Sequence, residues 1–511
     1  MAVDYAVIVL YLAGMLAVGW WGMRRATSKS DFLVAGRRLG PAMYSGTMAA
    51  IVLGGASTIG GVGLGYQYGL SGAWMVFAIG LGLLALSVFF SARIARLKVY
   101  TVSEMLDLRY GGAAGLISGV VMWAYTLMLA VTSTIAYATI FDVLFGLDRT
   151  VSIVLGGAIV VAYSTLGGMW SITLTDMVQF VVKTIGVLLL LLPIAVIKAG
   201  GFGAMADRLP HDYFAPLGIG GQTVFTYVLI YSFGMLIGQD IWQRVFTARS
   251  DRVARLGGTA AGTYCLVYAL AGAVIGTAAK VLYPHLGSPD DAFATIVKDT
   301  LPVGVRGLVL AAALSAVMST SSGALIACAT VAHQDIWSRL KGAARARRHP
   351  APQAASGTAG GPQRAEPDAA PGGEPDAAPD EVRGNRLFTL LMGLAVIVIA
   401  SALNNVVEAL TLAYNLLVGG LLVPILGGLL WKRGTAAGAL ASVAAGGLTV
   451  IGLMASLGVL ANEPIYYGLL ASLVAYVAVS LATRPTDQAV LTVWRERLAG
   501  REGAPSPLSR V

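Results

Sequence analysis

The chain has 511 residues, 57% of them apolar and 12% charged, with 64 glycines. Soluble globular proteins sit near 45–50% apolar and about 25% charged, so this composition excludes a soluble enzyme and a disordered scaffold. The 35 Lys and Arg against 26 Asp and Glu do not point to nucleic acid, because the basic residues stand in short loops beside apolar runs, as the positive-inside rule describes. What remains is an all-α, multi-pass membrane protein whose surroundings are the lipid bilayer; a transmembrane barrel would alternate in short segments instead.

The first apolar run, 5–23, ends in Arg24-Arg25. A signal peptide would carry its charge before the run and small residues after it, so this run is predicted to be a retained helix ending in the cytoplasm. Further runs follow at about 42–70, 73–95, 114–145, 151–168, 172–198, 222–246, 256–283, 303–333, 387–403, 407–431, 434–459 and 465–484, which makes 13 candidate spans. Basic clusters occupy alternate loops: Arg24, Arg25, Lys29, Arg37 and Arg38; then Arg93, Arg96 and Lys98; then Arg244, Arg249, Arg252 and Arg255; then residues 339–348; then Lys432 and Arg433. The opposite loops are sparse or acidic, as at Asp290-Asp291. This pattern predicts a cytoplasmic-membrane protein with its N-terminus outside and its C-terminus in the cytoplasm.

Residues 343–386 are rich in Ala, Pro, Gly and acids and repeat Glu-Pro-Asp-Ala-Ala-Pro at 366–371 and 374–379. Such a stretch cannot bury enough apolar area to offset its ordering entropy, so a disordered cytoplasmic loop is predicted there. Residues 485–511 are predicted to be a cytoplasmic tail, and residues 1–484 the membrane domain. Cys265 and Cys328 lie within apolar runs and read as small buried hydrophobes.

The second span carries Gly54-Gly55 and Gly60-Gly61 in its middle. Each glycine in a helix interior costs about 1 kcal/mol relative to alanine, so the two pairs predict a helix break. Broken backbone at membrane depth survives where it lines a cavity or is covered by protein, and its freed carbonyls can hold a cation; the alternative is close helix packing through small residues. The ninth span contains Ser319-Thr320-Ser321-Ser322, oxygen ligands suited to a hard monovalent cation, or hydroxyls that bond back to carbonyls one turn earlier. In the sixth, Asp176 stands in an apolar stretch, either on an ion path or as an interfacial cap. The seventh offers Tyr231, Gly234, Gly238, Gln239, Asp240 and Arg244. Gly234 and Gly238 suggest a second break, and Arg244 is predicted to end the span at the cytoplasm. Interruptions in both halves point to an inverted-repeat transporter.

With those residues in view, the sequence resembles the sodium/solute symporter family over about residues 3–484. The matching stretches are Ala35-Gly36-Arg37 with Leu39-Gly40-Pro41, the glycine-rich second span, Gly167-Gly168 through Thr175-Asp176 with Gln179, Ala316-Val317-Met318-Ser319-Thr320, and Ala413-Tyr414 leading to Pro424-Ile425-Leu426 and Trp431-Lys432. The resemblance implies a LeuT-type core of two inverted five-helix repeats, about 42–198 and 222–431, and Na⁺ as the coupling ion. By alignment, the sodium ligands fall on the carbonyls of Ala50 and Leu53 with Ala316, Ser319 and Thr320; a slipped register would move the first pair to Ala56 and Ile59. Asp176 matches a carboxylate near the sodium exit path. The family's solute residues do not transfer. The predicted pocket neighbourhood is Ser57, Thr58, Tyr231 and Gly234, without a fixed charge, which suits a small neutral or zwitterionic solute, or an anion at a half-helix end. The function expected is Na⁺-coupled import of a small organic solute by alternating access. Proton coupling in the same fold is the nearest rival. A solute sensor is disfavoured by the short tail, and an intramembrane enzyme by the lack of a nucleophile with a base at membrane depth.

Overall fold

The computed structural model describes residues 2–341, 379–403 and 406–501. Most of the predicted 343–386 loop therefore lies outside the described residues, but its last stretch, from Pro379 onward, is already helical.

Fourteen helices position the site. They are α1 (Ala2–Met23), α2 (Pro41–Val52), α3 (Gly61–Tyr68), α4 (Gly112–Phe145), α5 (Arg149–Lys183), α6 (Gly221–Ile237) and α7 (Gln239–Val245). After these come α8 (Asp251–Leu282), α9 (Val305–Thr330), α10 (Pro379–Ala402), α11 (Val406–Leu430), α12 (Ala436–Leu457), α13 (Glu463–Ala482) and α14 (Gln488–Ala499). The last of these gives the predicted tail a folded helix, docked by the Trp494 indole N–H on the Gly428 carbonyl at 3.1 Å.

Among the described residues, 10 helices are long and apolar enough to cross a membrane, or 11 if the bent pair α6 and α7 is one span. Two of the ten, Ala56–Arg96 and Arg149–Lys198, run 41 and 50 residues. At about 1.5 Å per residue the longer would reach roughly 75 Å, more than twice a hydrocarbon core of about 30 Å. Each contains a glycine at positive φ, Gly69 (φ 65°) and Gly168 (φ 53°). A Cβ on Gly168 would also lie 2.4 Å from the Phe32 carbonyl oxygen, so only glycine allows this turn.

Burial sorts the helices into layers. All of the most apolar stretch of α9 is buried, against 22% for α1 and 28% for α12 and α13. Leu10, Val398 and Leu448 stand exposed on the outer helices, where lipid is their natural surrounding. Part of the glycine-rich sequence serves close packing: a Cβ on Gly276 of α8 would fall 2.1 Å from the Val62 carbonyl oxygen of α3.

The face that carries the basic loops is cross-braced. Leu39 N–H donates to the Thr247 carbonyl at 3.0 Å and Arg249 N–H to the Leu39 carbonyl at 3.1 Å. The Gln243 amide donates to the Leu33 carbonyl at 2.8 Å, and Arg37 to the carbonyls of Lys98 and Val99 at 2.9 and 3.0 Å. Asp31 anchors the short helix Lys29–Val34 to α5. It accepts from Ser28, Thr27 and the Trp170 indole at 3.0, 3.1 and 3.2 Å and pairs with Arg38.

Burial pushes the Asp31 carboxyl up, but the Trp170, Ser28 and Thr27 hydrogen bonds and the Arg38 charge outweigh it and hold the group below its ordinary value. A carboxyl lowered on folding contributes stability that is present above its unfolded pKa and lost as pH falls through the folded one. Asp31→Asn should therefore lower the thermal stability of the detergent-purified protein at neutral pH by about 1–3 kcal/mol, and the deficit should shrink below about pH 4. An equal deficit at pH 7 and pH 3.5 would show that Asp31 does not act through its charge.

Candidate cation and solute site

Helix α2 stops at Val52. Leu53 leaves helical geometry (φ −96°, ψ 70°), and the chain resumes with the wider turns of Ala56–Gly60 that lead into α3. Gly54 and Gly55 permit the break to press against its neighbours. A Cβ on Gly54 would lie 2.4 Å from Thr320 Oγ1 of α9, and one on Gly55 2.8 Å from Ala136 Cβ of α4. The second glycine pair is not part of the break: Gly60 (φ −64°, ψ −38°) and Gly61 (φ −61°, ψ −40°) are helical. A helix tolerates such glycines once its hydrogen bonds are intact, and here only the first pair meets an obstacle that a side chain could not share.

The break leaves carbonyls of the last turn of α2 without helical partners, at the negative end of its dipole. Ser319 Oγ donates to the Ala50 carbonyl at 2.8 Å and to the Ala316 carbonyl at 3.1 Å, and Thr320 Oγ1 donates to the Ile51 carbonyl at 2.6 Å. The same network includes Leu53, because the Lys183 ammonium donates to the carbonyls of both Ala50 and Leu53, each at 2.8 Å. Lys183 is fully buried. Of the five residues predicted around a cation, Ala50 and Leu53 share the Lys183 ammonium, Ser319 joins the carbonyls of Ala50 and Ala316, and Thr320 bonds the neighbouring Ile51 carbonyl instead; a cation, the chain's own, thus stands on two of the five. Ala56 and Ile59, the slipped register, lie beyond the break in the resumed helix.

Lys183 is the residue the sequence reading missed. The signal was available: a lysine inside an apolar run, seven residues and thus two turns after Asp176 on one face of α5.

Asp176 is likewise fully buried. It accepts from Thr47 Oγ1 of α2 and pairs with Arg244 of α7 at 3.2 Å, so it ties three helices together rather than capping one. Arg244 stands in the last turn of α7, where the sequence predicts the span to end, but its side chain turns inward: none of it is exposed, and it also donates to the Asp240 carbonyl at 3.4 Å. Asp176 holds it inside, since a guanidinium in low dielectric needs a counter-charge.

Above the break, a cavity of about 480 Å³ opens on the face carrying Asp290, with Gly60, Gln67, Tyr227, Tyr231 and Asn462 among its walls. Burial, and then the charge of Asp291, raise the Asp290 carboxyl above its ordinary value. Directly at the break lies a smaller space of about 40 Å³, bounded by Ser57, Thr132, Ser133, Asp240, Thr320 and Tyr414. Of the predicted pocket residues, Ser57 faces the inner space and Tyr231 the outer one. Thr58 is turned to the Tyr268 hydroxyl of α8 at 2.9 Å, and Gly234 packs against the Tyr414 ring, 2.3 Å from where its Cβ would be. The predicted neighbourhood leaves out Asp240, whose carboxyl borders the inner space. It is brought there by the second break, at Gly238 (ψ 131°), where α6 and α7 bend by 45°, and the Tyr125 hydroxyl donates to it at 3.0 Å.

A family model, the sodium:solute symporter family, matches residues 32–353, well over half of the chain. The chain belongs to the sodium:solute symporter family. As a member it is a Na⁺-coupled symporter of small solutes in the membrane. Its relatives include the high-affinity proline transporter of Bacillus subtilis (strain 168), 25% identical over 93% of this chain and 97% of that protein. A sodium/proline symporter of Staphylococcus aureus (strain JH9) is 25% identical over 94% of this chain and 93% of its own. Among solved structures, a Na⁺-coupled sialic acid symporter in a substrate-bound, outward-open state superposes with a TM-score of 0.76 at 19% identity, over 95% of this chain and 99% of that one. A nucleobase-cation-symport-1 family transporter in a closed conformation gives 0.57 at 14%, over 93% and 99%. Both likenesses are of fold.

Proposed function

We propose that this symporter imports a small zwitterionic solute by alternating access, with 13 crossings, its N-terminus outside, and inverted repeats at about 42–198 and 222–431. The observation that carries the reading is the meeting of the broken α2 with the α9 hydroxyls beneath a cavity open on the acidic face, while the basic face is braced shut. Such a state is ready to receive solute from outside.

In this reading Na⁺ takes the carbonyls of Ala50, Leu53 and Ala316 and the hydroxyls of Ser319 and Thr320, and its inward path runs past Asp176, about 10 Å farther along α5. The solute's ammonium faces Asp240, and its carboxylate faces the start of the resumed helix near Gly55–Ser57, where free N–H groups and the dipole favour an anion. Proline, the solute named for the relatives, has both groups. Alternating access couples the two ligands when the outward state binds both better than the inward state does. One Na⁺ moving through 100 mV contributes roughly 2.3 kcal/mol and a tenfold gradient about 1.4 kcal/mol, enough for several hundredfold accumulation.

Proteoliposomes given radiolabelled proline and other zwitterions should accumulate one of them under an inward Na⁺ gradient. Ser319→Ala or Thr320→Ala should raise the Na⁺ concentration for half-maximal uptake about tenfold, the worth of one charge-assisted contact. Unchanged sodium dependence in both variants would remove these residues from the ion site, and uptake driven by a pH gradient without sodium would favour proton coupling. Asp240→Asn should raise the solute KM by about tenfold; a wild-type KM would free Asp240 from the pocket.

A further inference from the structure

The ammonium of Lys183 stands on the two carbonyls that the proposed ion site assigns to Na⁺. We propose that Lys183 is a tethered cation that shares this seat with the transported sodium, so that ammonium and Na⁺ are alternative occupants of one position. The inference rests on the site proposed above and adds a resident competitor to it.

Geometry carries the argument. Both carbonyls end the same half-helix and converge on one point, 2.8 Å from Lys183 Nζ in each case. Ser319 of α9 donates to one of the same two carbonyls, that of Ala50, at 2.8 Å. An alkali ion sharing those carbonyls would lie within a few ångströms of a full positive charge, in a place where no part of the lysine is exposed to water. The countercharge on this face of α5, Asp176, is two turns away and already paired with Arg244. Across from Lys183, α8 contributes the Cys265 thiol as its other ionisable neighbour. Two cations and one distant, engaged carboxylate do not fit together, whereas one cation fits well.

The same contacts explain what the lysine does when sodium is absent. Its ammonium bridges the end of α2 to α5 and holds the break in the shape the ion requires. Sodium then enters by displacing the long, flexible lysine stem, and the seat is never left with bare carbonyls facing an apolar interior. Lys183 is in this sense a positioning residue and a competitor, acting on the ion site alone.

The test is equilibrium ²²Na⁺ binding to the purified full-length protein in lipid nanodiscs, with no solute and no gradient. If Lys183 holds the seat in about nine of ten molecules, its removal tightens apparent Na⁺ affinity about tenfold. Lys183→Met should show that gain, and Ser319→Ala introduced beside it should reverse it. Lys183→Gln, which keeps a donor for the carbonyls but no charge, serves where the methionine variant does not fold, and should also bind more tightly than wild type. Sodium affinity equal to or weaker than wild type in the neutral variants would overturn the proposal and make Lys183 a structural pin. A wild type that shows no sodium-driven uptake, beside a Lys183→Met protein that gains a Ser319-dependent Na⁺ site, would refute sodium symport at this seat and still uphold the shared occupancy.

Discussion

Replacing Arg244 with methionine is expected to destabilise the protein by about 3–5 kcal/mol, because it strands the Asp176 carboxylate inside the bundle. Neither partner of this pair exposes any side chain. Among the described residues, the Asp176 carboxylate keeps the Thr47 hydroxyl as its one direct hydrogen-bond partner once the guanidinium is gone, and a hydroxyl does not neutralise a charge. The double variant Asp176→Asn, Arg244→Met should recover most of the loss, since it removes the stranded charge along with its partner. Thermal unfolding of the four proteins in detergent closes the cycle. Independent, additive losses from the two substitutions would mean that the pair is not coupled. The recovered double variant should insert and fold yet transport slowly, because the tie between α2, α5 and α7 lies on the inward path proposed above for the ion.

The second large effect is expected at Gly54. An added Cβ would lie 2.4 Å from Thr320 Oγ1 and 2.8 Å from Thr320 Cβ, closer than packed side chains can approach, and the neighbour is a β-branched residue held in one rotamer by its bond to Ile51. Gly54→Val must therefore part α2 from α9. The Thr320–Ile51 and Ser319–Ala50 bonds go with that separation, at about 1 kcal/mol each, and overpacking adds about 1–3 kcal/mol. Sodium-driven uptake should fall on the order of a hundredfold with normal membrane insertion. Gly61→Ala is the matched comparison. That glycine is helical, and its added Cβ would meet Val76 at 3.4 Å, an ordinary contact; uptake should stay near wild type, with a gain in stability of about 0.4–1 kcal/mol. Equal losses in both variants would place the break elsewhere.

These two positions also show how far a glycine pattern can be read. Gly54-Gly55 and Gly60-Gly61 are indistinguishable as dipeptides in an apolar run, and both were predicted to break the helix. What separates them is the neighbour each one meets: Thr320 and Ala136 in one case, open vestibule and Val76 in the other. Arg244 teaches the same lesson with opposite sign. Beside a basic loop it resembles an interfacial cap, and only the arrival of Asp176 from another helix, 68 residues away in sequence, makes an interior site tenable.

The sequence alone determined the membrane class and the two segments, around 50–55 and 316–320, that meet at the break of α2. Composition, apolar run length and charge placement are local properties, and a bilayer imposes local rules on them. Only the tertiary structure decided what the site contains. Lys183 reaches Ala50 across 133 residues, and Asp240 borders the inner space at the break because one helix bends at Gly238. Such contacts depend on which helix faces lie against each other, and hydrophobic periodicity marks a buried face without naming the face that covers it.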